Sequence, residues 1–201
     1  MTTADDRRER LLEAMLDVVG EAGYAGTSIE GVLSRAGLYR QSFYDNFLDK
    51  EDCYLQAYDH AVEALEREVG AATAGEGEWR ARLRGGLGAV LRFLDQRPDA
   101  GRALIVEVHA AGPRAVARRD REMERFARFL ARGRDAAGDG AEPPSIAPEA
   151  IAAGIHSVVH ARLAMREDGS YSALLPGFMY IAVLPYFGIE AAAAELQASS
   201  A

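Results

Sequence analysis

The chain has 201 residues, a formal net charge of −8 and a single cysteine, Cys53. This length suffices for one large or two small domains, and a lone cysteine excludes an internal disulfide and argues against a structural zinc site. β-branched runs are few and no long segment alternates with period two, which favours an all-α protein. No N-terminal segment resembles a signal peptide. No run of about 18 residues is expected to span a bilayer, because proline and glycine interrupt the most apolar stretch, residues 174–189. We therefore expect a cytoplasmic protein with no membrane partner.

The first predicted elements are three helices in the N-terminal quarter of the chain. Residues 5–20 form a first helix, because apolar residues recur along one face. Helices at about 28–35 and 39–45 follow, separated by a tight turn at which Gly37 can adopt a positive φ. Two short helices joined in this way form a helix-turn-helix, which presents its second helix to the major groove of DNA.

The second helix of this unit carries polar and aromatic side chains on its outer faces. We expect Tyr39, Arg40 and Gln41 to contact base edges, since Arg pairs naturally with guanine and Gln with adenine. Other residues would hold phosphates and set the register of the domain. These further DNA contacts are Thr27, Ser28, Ser42, Tyr44 and Lys50, with Leu38 at the corner of the turn.

The charge of this region is unusual for a nucleic-acid binder. Residues 1–50 contain six basic and nine acidic residues. Attraction to phosphate must then come from the local placement of Arg and Lys, from helix N-termini and from hydroxyl groups. This balance predicts weak non-specific binding and a modest salt dependence.

Residues 23–51 also contain short motifs in a specific order. They are Gly23-Tyr24, Thr27-Ser28, Ala36-Gly37-Leu38, Phe43-Tyr44-Asp45-Asn46-Phe47 and Lys50-Glu51. In this order and spacing they resemble the N-terminal domain of the tetracycline-repressor (TetR) family of bacterial transcription regulators. Two positions depart from that pattern, because the family often has a small hydroxyl residue at Tyr39 and glycine at Gln41. The resemblance implies a helix-turn-helix DNA-binding domain over residues 1–49 and a helical effector-binding and dimerisation domain over 50–201.

The second of these regions is predicted to be helical throughout. Small residues, glycine and proline mark loops at 70–77 and 138–148. The predicted helices cover residues 50–69, 79–96, 98–111, 113–135, 149–167 and 172–184. Arginines along the helix at 113–135 alternate with acids, which indicates a solvated, salt-bridged face. At Cys53 we expect a small buried hydrophobic residue.

An effector site is implied by the resemblance, as a cavity among the fourth to eighth predicted helices that binds a small hydrophobic molecule. The helices there carry more inward apolar residues than one small core needs, and His109 and His156 are polar groups suited to orient a ligand. The candidate effector-binding residues are Leu87, Val90, Leu104, Val108, His109, Phe126, Leu130 and His156. The alternative is an ordinary bundle core, with His109 as a satisfied core histidine.

Dimerisation is implied by the same resemblance, with the last two predicted helices of two subunits packed as a four-helix bundle. Small residues among them, such as Gly154 and Gly177, permit close approach of helices across a two-fold axis. The candidate dimerisation residues are Ile151, Ile155, Val159, Leu174, Phe178 and Ile181. Apolar stripes of this kind also occur in the core of a single chain.

Together these features predict a homodimeric transcriptional regulator, a repressor that a small apolar effector releases from a palindromic double-stranded DNA operator. No catalytic motif or cofactor site is recognisable. Two alternatives remain open. His156 and His160 lie four residues apart, a metal-binding spacing, which leaves a small helical metal-dependent enzyme. The acidic N-terminal region leaves a helical adaptor whose helix-turn-helix does not bind DNA.

Overall fold

The computed structural model describes residues 4–74, 78–138 and 143–197. In these segments the regular elements are α-helices and short 3-10 turns, which confirms the all-α prediction. In chain order the α-helices are α1 (Ala4–Ala22), α2 (Ile29–Ala36), α3 (Arg40–Tyr44), α4 (Lys50–Thr73), α5 (Trp79–Gln96), α6 (Pro98–Ile105), α7 (Pro113–Ala131), α8 (Gly133–Ala137), α9 (Ala147–Met165) and α10 (Leu175–Gln197).

The chain divides into two compact units. The first unit comprises Met1–Ala64 and Arg97–Arg119, and the second comprises Leu65–Gln96 and Asp120–Ala201. The first unit therefore contains α1 to α3 together with most of α4, the whole of α6 and the start of α7. The functional boundary between residues 49 and 50 that the sequence suggests stays a prediction.

In the first unit, α6 packs closely against α1. A Cβ on Gly20 would lie 2.1 Å from the carbonyl oxygen of Asp99, so this contact requires glycine. The fully buried Tyr54 of α4 donates its hydroxyl to the carbonyl of Ala103 at 2.8 Å. Cys53 beside it is fully buried, as predicted, and burial raises the pKa of its thiol. Helix α6 is thus in contact with both α1 and α4.

The second unit is built around Trp79, the only tryptophan in the chain. Its ring stacks on Phe129 at 6.3 Å and on Phe187 at 5.8 Å, and it meets Tyr186 edge-on at 5.4 Å between ring centroids. The indole N–H donates to the carbonyl of Phe129 at 3.2 Å. Gly133 begins α8 against this ring, where a Cβ would lie 2.8 Å from the indole. This tight approach joins α5, α7, α8 and α10.

A buried ion cluster ties the start of α5 to the end of α10. Glu195 is only 2% exposed, and its carboxylate accepts two hydrogen bonds from Arg80, at 2.8 and 2.5 Å, and one from Arg84. A buried carboxylate is tolerated only when it is paired in this way. Glu195 therefore fixes the last turns of α10.

Asp95, near the other end of α5, caps the start of α10. Its carboxylate accepts backbone N–H groups from Tyr171 at 2.5 Å and Ser172 at 3.0 Å, and the hydroxyl of Ser170 donates to it at 3.0 Å. Burial alone would raise the pKa of this carboxyl, but the hydrogen bonds from Ser172, Tyr171 and Ser170 lower it overall. The ionised form of Asp95 is therefore the form that the fold prefers.

Several helices end at other residues than predicted. Helix α4 continues to Thr73, so the start of the predicted loop at 70–77 is helical. Helix α6 ends at Ile105 and is followed by a 3-10 turn, whereas the prediction extended it to residue 111. The predicted seventh helix is broken after Ala131, where Gly133 meets Trp79. Within the predicted loop at 138–148, residues 139–142 lie outside the described part of the chain.

Helix α10 covers more residues than predicted, but it consists of two helical segments. Pro176 lies in the first turn of α10, where its missing N–H is not needed. Pro185 lies within the first segment, and Gly188, at φ 79° and ψ 178°, has a non-helical backbone that separates the two segments at a kink. Among the described residues, Ser172–Gln197 is long and apolar enough to cross a membrane by length and composition alone, with mean hydropathy 1.6 and 28% of the apolar window buried. This stretch contains Gly188, whose backbone is not helical, in the region where the sequence indicates an interruption.

Candidate nucleic-acid interface

Helices α2 and α3 form the helix-turn-helix that the sequence predicts. Ser28 is the N-cap of α2, and its hydroxyl oxygen accepts the N–H of Gly31 at 3.1 Å. Gly37 adopts φ 63° and ψ 40° at the end of α2, and the N–H of Leu38 donates to the carbonyl of Leu33 at 3.0 Å. This left-handed residue reverses the chain into α3, which is the role predicted for glycine here.

The three residues predicted to contact bases are brought together at the start of α3. Tyr39 is the N-cap residue, its side chain forms no cap hydrogen bond, and it is 87% exposed. Arg40 and Gln41 are both exposed. Phe43 lies on the apolar face of α3, where it is fully buried. Its ring centroid is 5.4 Å from that of Phe47. The outer face of α3 is therefore polar and accessible.

Two of these side chains have carboxylate partners within the domain. Arg40 lies 3.2 Å from the carboxylate of Glu30 in α2 and donates to the hydroxyl of Tyr44 at 3.4 Å. The hydrogen bond to Tyr44 and the charges of Tyr44 and Glu30 raise the pKa of Arg40. Gln41 donates its side-chain N–H to the carboxylate of Asp45 at 2.6 Å. Both groups must exchange these partners, in whole or in part, to bond to a base.

Thr27 and Lys50 have structural roles that the sequence analysis missed. Thr27 is 5% exposed and donates its hydroxyl to the carbonyl of Gly23 at 2.8 Å, and its contact with a phosphate stays a prediction. Lys50 donates from Nζ to the carbonyls of Tyr24 at 2.9 Å and Thr27 at 3.1 Å. Its ammonium also lies 4.3 Å from the ring centroid of Tyr24. Lys50 thus fixes the loop between α1 and α2, and a phosphate contact from it stays a prediction.

The remaining predicted DNA contacts lie on or near the exposed side of the unit. Ser28 is exposed and Tyr44 is 47% exposed, whereas Leu38 and Ser42 are half-buried. Their contacts with DNA stay predictions. Sequence reasoning also missed Arg10, which donates to the carbonyl of Ala36 and so caps the end of α2. No local pattern signals this bond, because its partners are separated by more than twenty residues.

The predicted effector-binding residues are distributed over both units. In the first unit, Leu104 and Val108 are buried, but His109 is exposed at the end of a 3-10 turn. The prediction of His109 as a core histidine is wrong, because α6 ends at Ile105 and His109 lies beyond it at an exposed position. The second unit contains the other candidates, which are Leu87 and Leu130, both buried, and Val90, Phe126 and His156, all half-buried. Their contact with an effector stays a prediction.

Most of the predicted dimerisation residues are buried within the chain itself. Ile151, Ile155, Val159 and Phe178 are buried, Leu174 is half-buried, and Ile181 is 50% exposed. Other apolar side chains of α9 and α10 are exposed, among them Val158 at 42% and Leu184 at 36%. The four buried residues therefore contribute to the core of their own subunit.

The surroundings of His156 and His160 do not favour metal binding. The rings of His156 and His160 lie 6.2 Å apart between centroids. Across the part of the chain that the structure describes, no group of three or more His, Cys, Asp or Glu side chains is placed to hold a metal. The geometry does not favour the alternative of a metal-dependent enzyme.

Comparison with known proteins identifies the helix-turn-helix. Residues 11–57 match the family model described as bacterial regulatory proteins, tetR family. The N-terminal region of the chain is therefore similar to the DNA-binding region of the tetR family. The match spans most of α1, the whole of α2 and α3, and the start of α4, so it coincides with the interface described above.

Two curated relatives are similar to part of the chain. Over 59 residues it is 39% identical to the uncharacterized HTH-type transcriptional regulator YezE of Bacillus subtilis, covering 29% of this chain and 30% of that protein. Over 113 residues it is 26% identical to the HTH-type transcriptional activator FasR of Mycolicibacterium smegmatis, covering 56% of this chain and 52% of that protein. The chain thus aligns with no more than about half the length of these relatives.

Similarity to solved structures extends beyond the matched N-terminal region. The structure is similar to the transcriptional regulator FadR from Bacillus subtilis, solved in complex with stearoyl-CoA, with a TM-score of 0.73 and 15% identity. The similarity covers 87% of this chain and 97% of that one. At this identity it shows a shared fold, an N-terminal helix-turn-helix followed by a helical C-terminal region.

Proposed function

We propose that this tetR-family protein is a DNA-binding transcriptional regulator, a repressor that a small apolar effector releases from a palindromic operator. The observation that carries the proposal is the start of α3. There Tyr39, Arg40 and Gln41 are exposed on a helix whose opposite face is anchored by the buried Phe43. A rigid helix with three adjacent exposed base-contacting side chains is the arrangement that docks in a major groove.

Each of these side chains has a natural partner on DNA. Arg40 offers two parallel N–H groups to O6 and N7 of guanine, and Gln41 offers a donor and an acceptor to adenine. The exposed ring of Tyr39 is suited to an apolar contact with a thymine methyl group. Ser28, Ser42, Tyr44 and Lys50 then contact the phosphates and set the register.

A homodimer is part of the proposal, with α9 and α10 as its interface. In α10, Gly177, Ile181 and Leu184 follow one another at helical spacing, and in α9 Gly154 and Val158 do the same. A Cβ on Gly154 or on Gly177 would meet nothing within 4 Å, so both glycines lie at open surface. An exposed apolar face with small residues suits close packing against a second copy across a two-fold axis. We therefore assign the apolar length of α10 to subunit contact in the cytoplasm and not to a membrane.

The effector in this proposal is a small hydrophobic molecule bound by the helical C-terminal region. Its candidate contacts in the second unit are Leu87, Val90, Phe126, Leu130 and His156. FadR of Bacillus subtilis, which shares the fold, was solved with stearoyl-CoA. A long-chain acyl thioester is accordingly the first effector class to test.

The experiment is selection of a randomised DNA duplex by the purified protein. The expected product is an inverted repeat whose half-site centres lie about 34–36 Å apart or a multiple of that distance. Stearoyl-CoA should then release the selected duplex, while free coenzyme A should not. Enrichment of no sequence would favour the adaptor with a non-DNA-binding helix-turn-helix. Transcription from a promoter carrying the selected site separates a repressor from an activator such as FasR.

A further inference from the structure

The proposed base-contacting face contains an acidic residue in direct contact with its arginine. Glu30 lies in the first turn of α2, and its Oε1 is 3.2 Å from Nη1 of Arg40 at the start of α3. On its other side, Arg40 donates to the hydroxyl of Tyr44 at 3.4 Å, with its guanidinium carbon 5.7 Å from the centroid of that ring. The guanidinium is therefore held from two sides, by α2 and by the next turn of α3.

Stability does not account for this ion pair. The side chains of Arg40 and Glu30 are 67% and 65% exposed, and an exposed pair of this kind contributes little to folding because water and salt screen it. A carboxylate on a surface that approaches phosphates also opposes DNA binding. Gln41 and Asp45 repeat the arrangement, because the second polar base-contacting side chain also donates to a carboxylate, at 2.6 Å.

We propose that Glu30 is a positioning residue that sets the base specificity of Arg40. This rests on the proposed function. Glu30 holds Nη1 of Arg40 from α2 and so restricts the orientations that the guanidinium can adopt. Guanine offers two acceptors in one plane and suits a guanidinium held in one orientation, whereas phosphates and poorly matched bases need other orientations. Glu30 thus favours the matched base pair by pre-organising Arg40, and its negative charge weakens contacts with phosphate.

The proposal also explains how an acidic domain can select DNA. The nine acids among residues 1–50 outnumber six bases, yet the acids beside α3 are placed on the base-contacting groups themselves. Non-specific affinity is reduced where Arg40 would otherwise bind any phosphate. The negative charge of Glu30 weakens binding to every sequence, and the restricted orientation of Arg40 weakens it most at mismatched base pairs.

The test compares Glu30→Gln with a matched control on the duplex selected by the wild-type protein. The control is Glu124→Gln, which removes one acid from an ion pair of similar exposure in the second unit, 3.6 Å from Arg128 with 69% and 65% exposed side chains. Affinity is measured for the selected duplex, for duplexes with the guanine contacted by Arg40 replaced, and for a scrambled duplex, each at several salt concentrations. The variants Arg40→Ala and Arg40→Ala/Glu30→Gln complete a double-mutant cycle.

Glu30→Gln should bind the scrambled duplex about three- to tenfold more tightly and lower the preference for guanine by about five- to tenfold. Its salt dependence should steepen by up to about 0.9 in the slope of log K against log salt, since one more cation reaches phosphate. Glu30→Asp keeps the charge but shortens the side chain, so it should lower the preference without tightening scrambled binding. In the Arg40→Ala background the Glu30→Gln change should leave base preference unaltered.

The inference is overturned if Glu30→Gln behaves like Glu124→Gln, or if it shifts base preference equally with and without Arg40. In both cases the selected duplex is still bound and the proposed function stands. If the wild-type protein enriches no sequence, the proposed function fails first and the role of Glu30 fails with it. Matching thermal melts of all variants confirm that the differences arise at the DNA and not in folding.

Discussion

Replacing Gly20 by alanine is expected to push α1 and α6 apart. The added Cβ would lie 2.1 Å from the carbonyl oxygen of Asp99 and 2.5 Å from its carbonyl carbon, whereas ordinary contacts begin near 3.4 Å. The obstructing atoms belong to the backbone, so no side-chain rotation can relieve the clash and the helices must separate by more than 1 Å. We expect a cost of about 3 kcal/mol, the upper part of the range for overpacking.

A matched glycine in an open position gives the control. Gly70 lies inside α4, and a Cβ added there would meet nothing within 4 Å. Alanine should therefore stabilise α4 by about 0.5–1 kcal/mol through its better helix propensity. For a chain of this size, thermal melts followed by circular dichroism should show a fall of roughly 6–12 °C for Gly20→Ala and a rise of roughly 1–4 °C for Gly70→Ala. Equal melting temperatures for the two variants would refute the reasoning.

Three further outcomes are expected. Ile181→Arg should sediment as a monomer, melt like the wild type and bind the operator poorly. Phe178→Arg should instead lower the stability of the folded monomer, because Phe178 is 4% exposed within its own chain. A dimeric Ile181→Arg variant would contradict the proposed interface. Arg40→Ala should weaken operator binding roughly tenfold to a hundredfold and relax the choice of one base per half-site, measured by titration of base-swapped duplexes. Because the pKa of Asp95 is lowered in the folded protein, its carboxylate stabilises the fold at neutral pH, and this effect is lost as the pH falls through that pKa. Asp95→Asn should therefore lower the free energy of unfolding by about 1 kcal/mol at pH 7 and by little in acid. Denaturant titrations at the two pH values would measure this difference.

The parts of the helix-turn-helix that the sequence predicted are those fixed by neighbours along the chain. Gly37 takes the left-handed conformation because the turn needs it, and Ser28 caps α2 because its side chain reaches an N–H three residues ahead. The exposure of Tyr39, Arg40 and Gln41 follows from the burial of Phe43 on the opposite face. Local rules of this kind need no knowledge of distant residues.

The sequence is less informative where packing decides the role of a residue. Thr27 and Ser28 are equally good caps by sequence, but Thr27 faces Gly23 and is buried, so only Ser28 is at the surface. Phe178 and Ile181 belong to one apolar stripe, and only packing within the second unit distinguishes the buried residue from the exposed one. The ion pair between Glu30 and Arg40 joins two helices and has no signature in either of them.

The single tryptophan gives the second unit a built-in optical probe. Trp79 is 8% exposed and lies between Phe129 and Phe187, so its fluorescence should be shifted to short wavelength and should respond when the packing of α5, α7 or α10 changes. The helix-turn-helix contains tyrosine but no tryptophan. Emission excited at the red edge of the absorption band will therefore report the second unit alone. Comparing its denaturation midpoint with that of far-ultraviolet circular dichroism measures how cooperatively the whole chain unfolds.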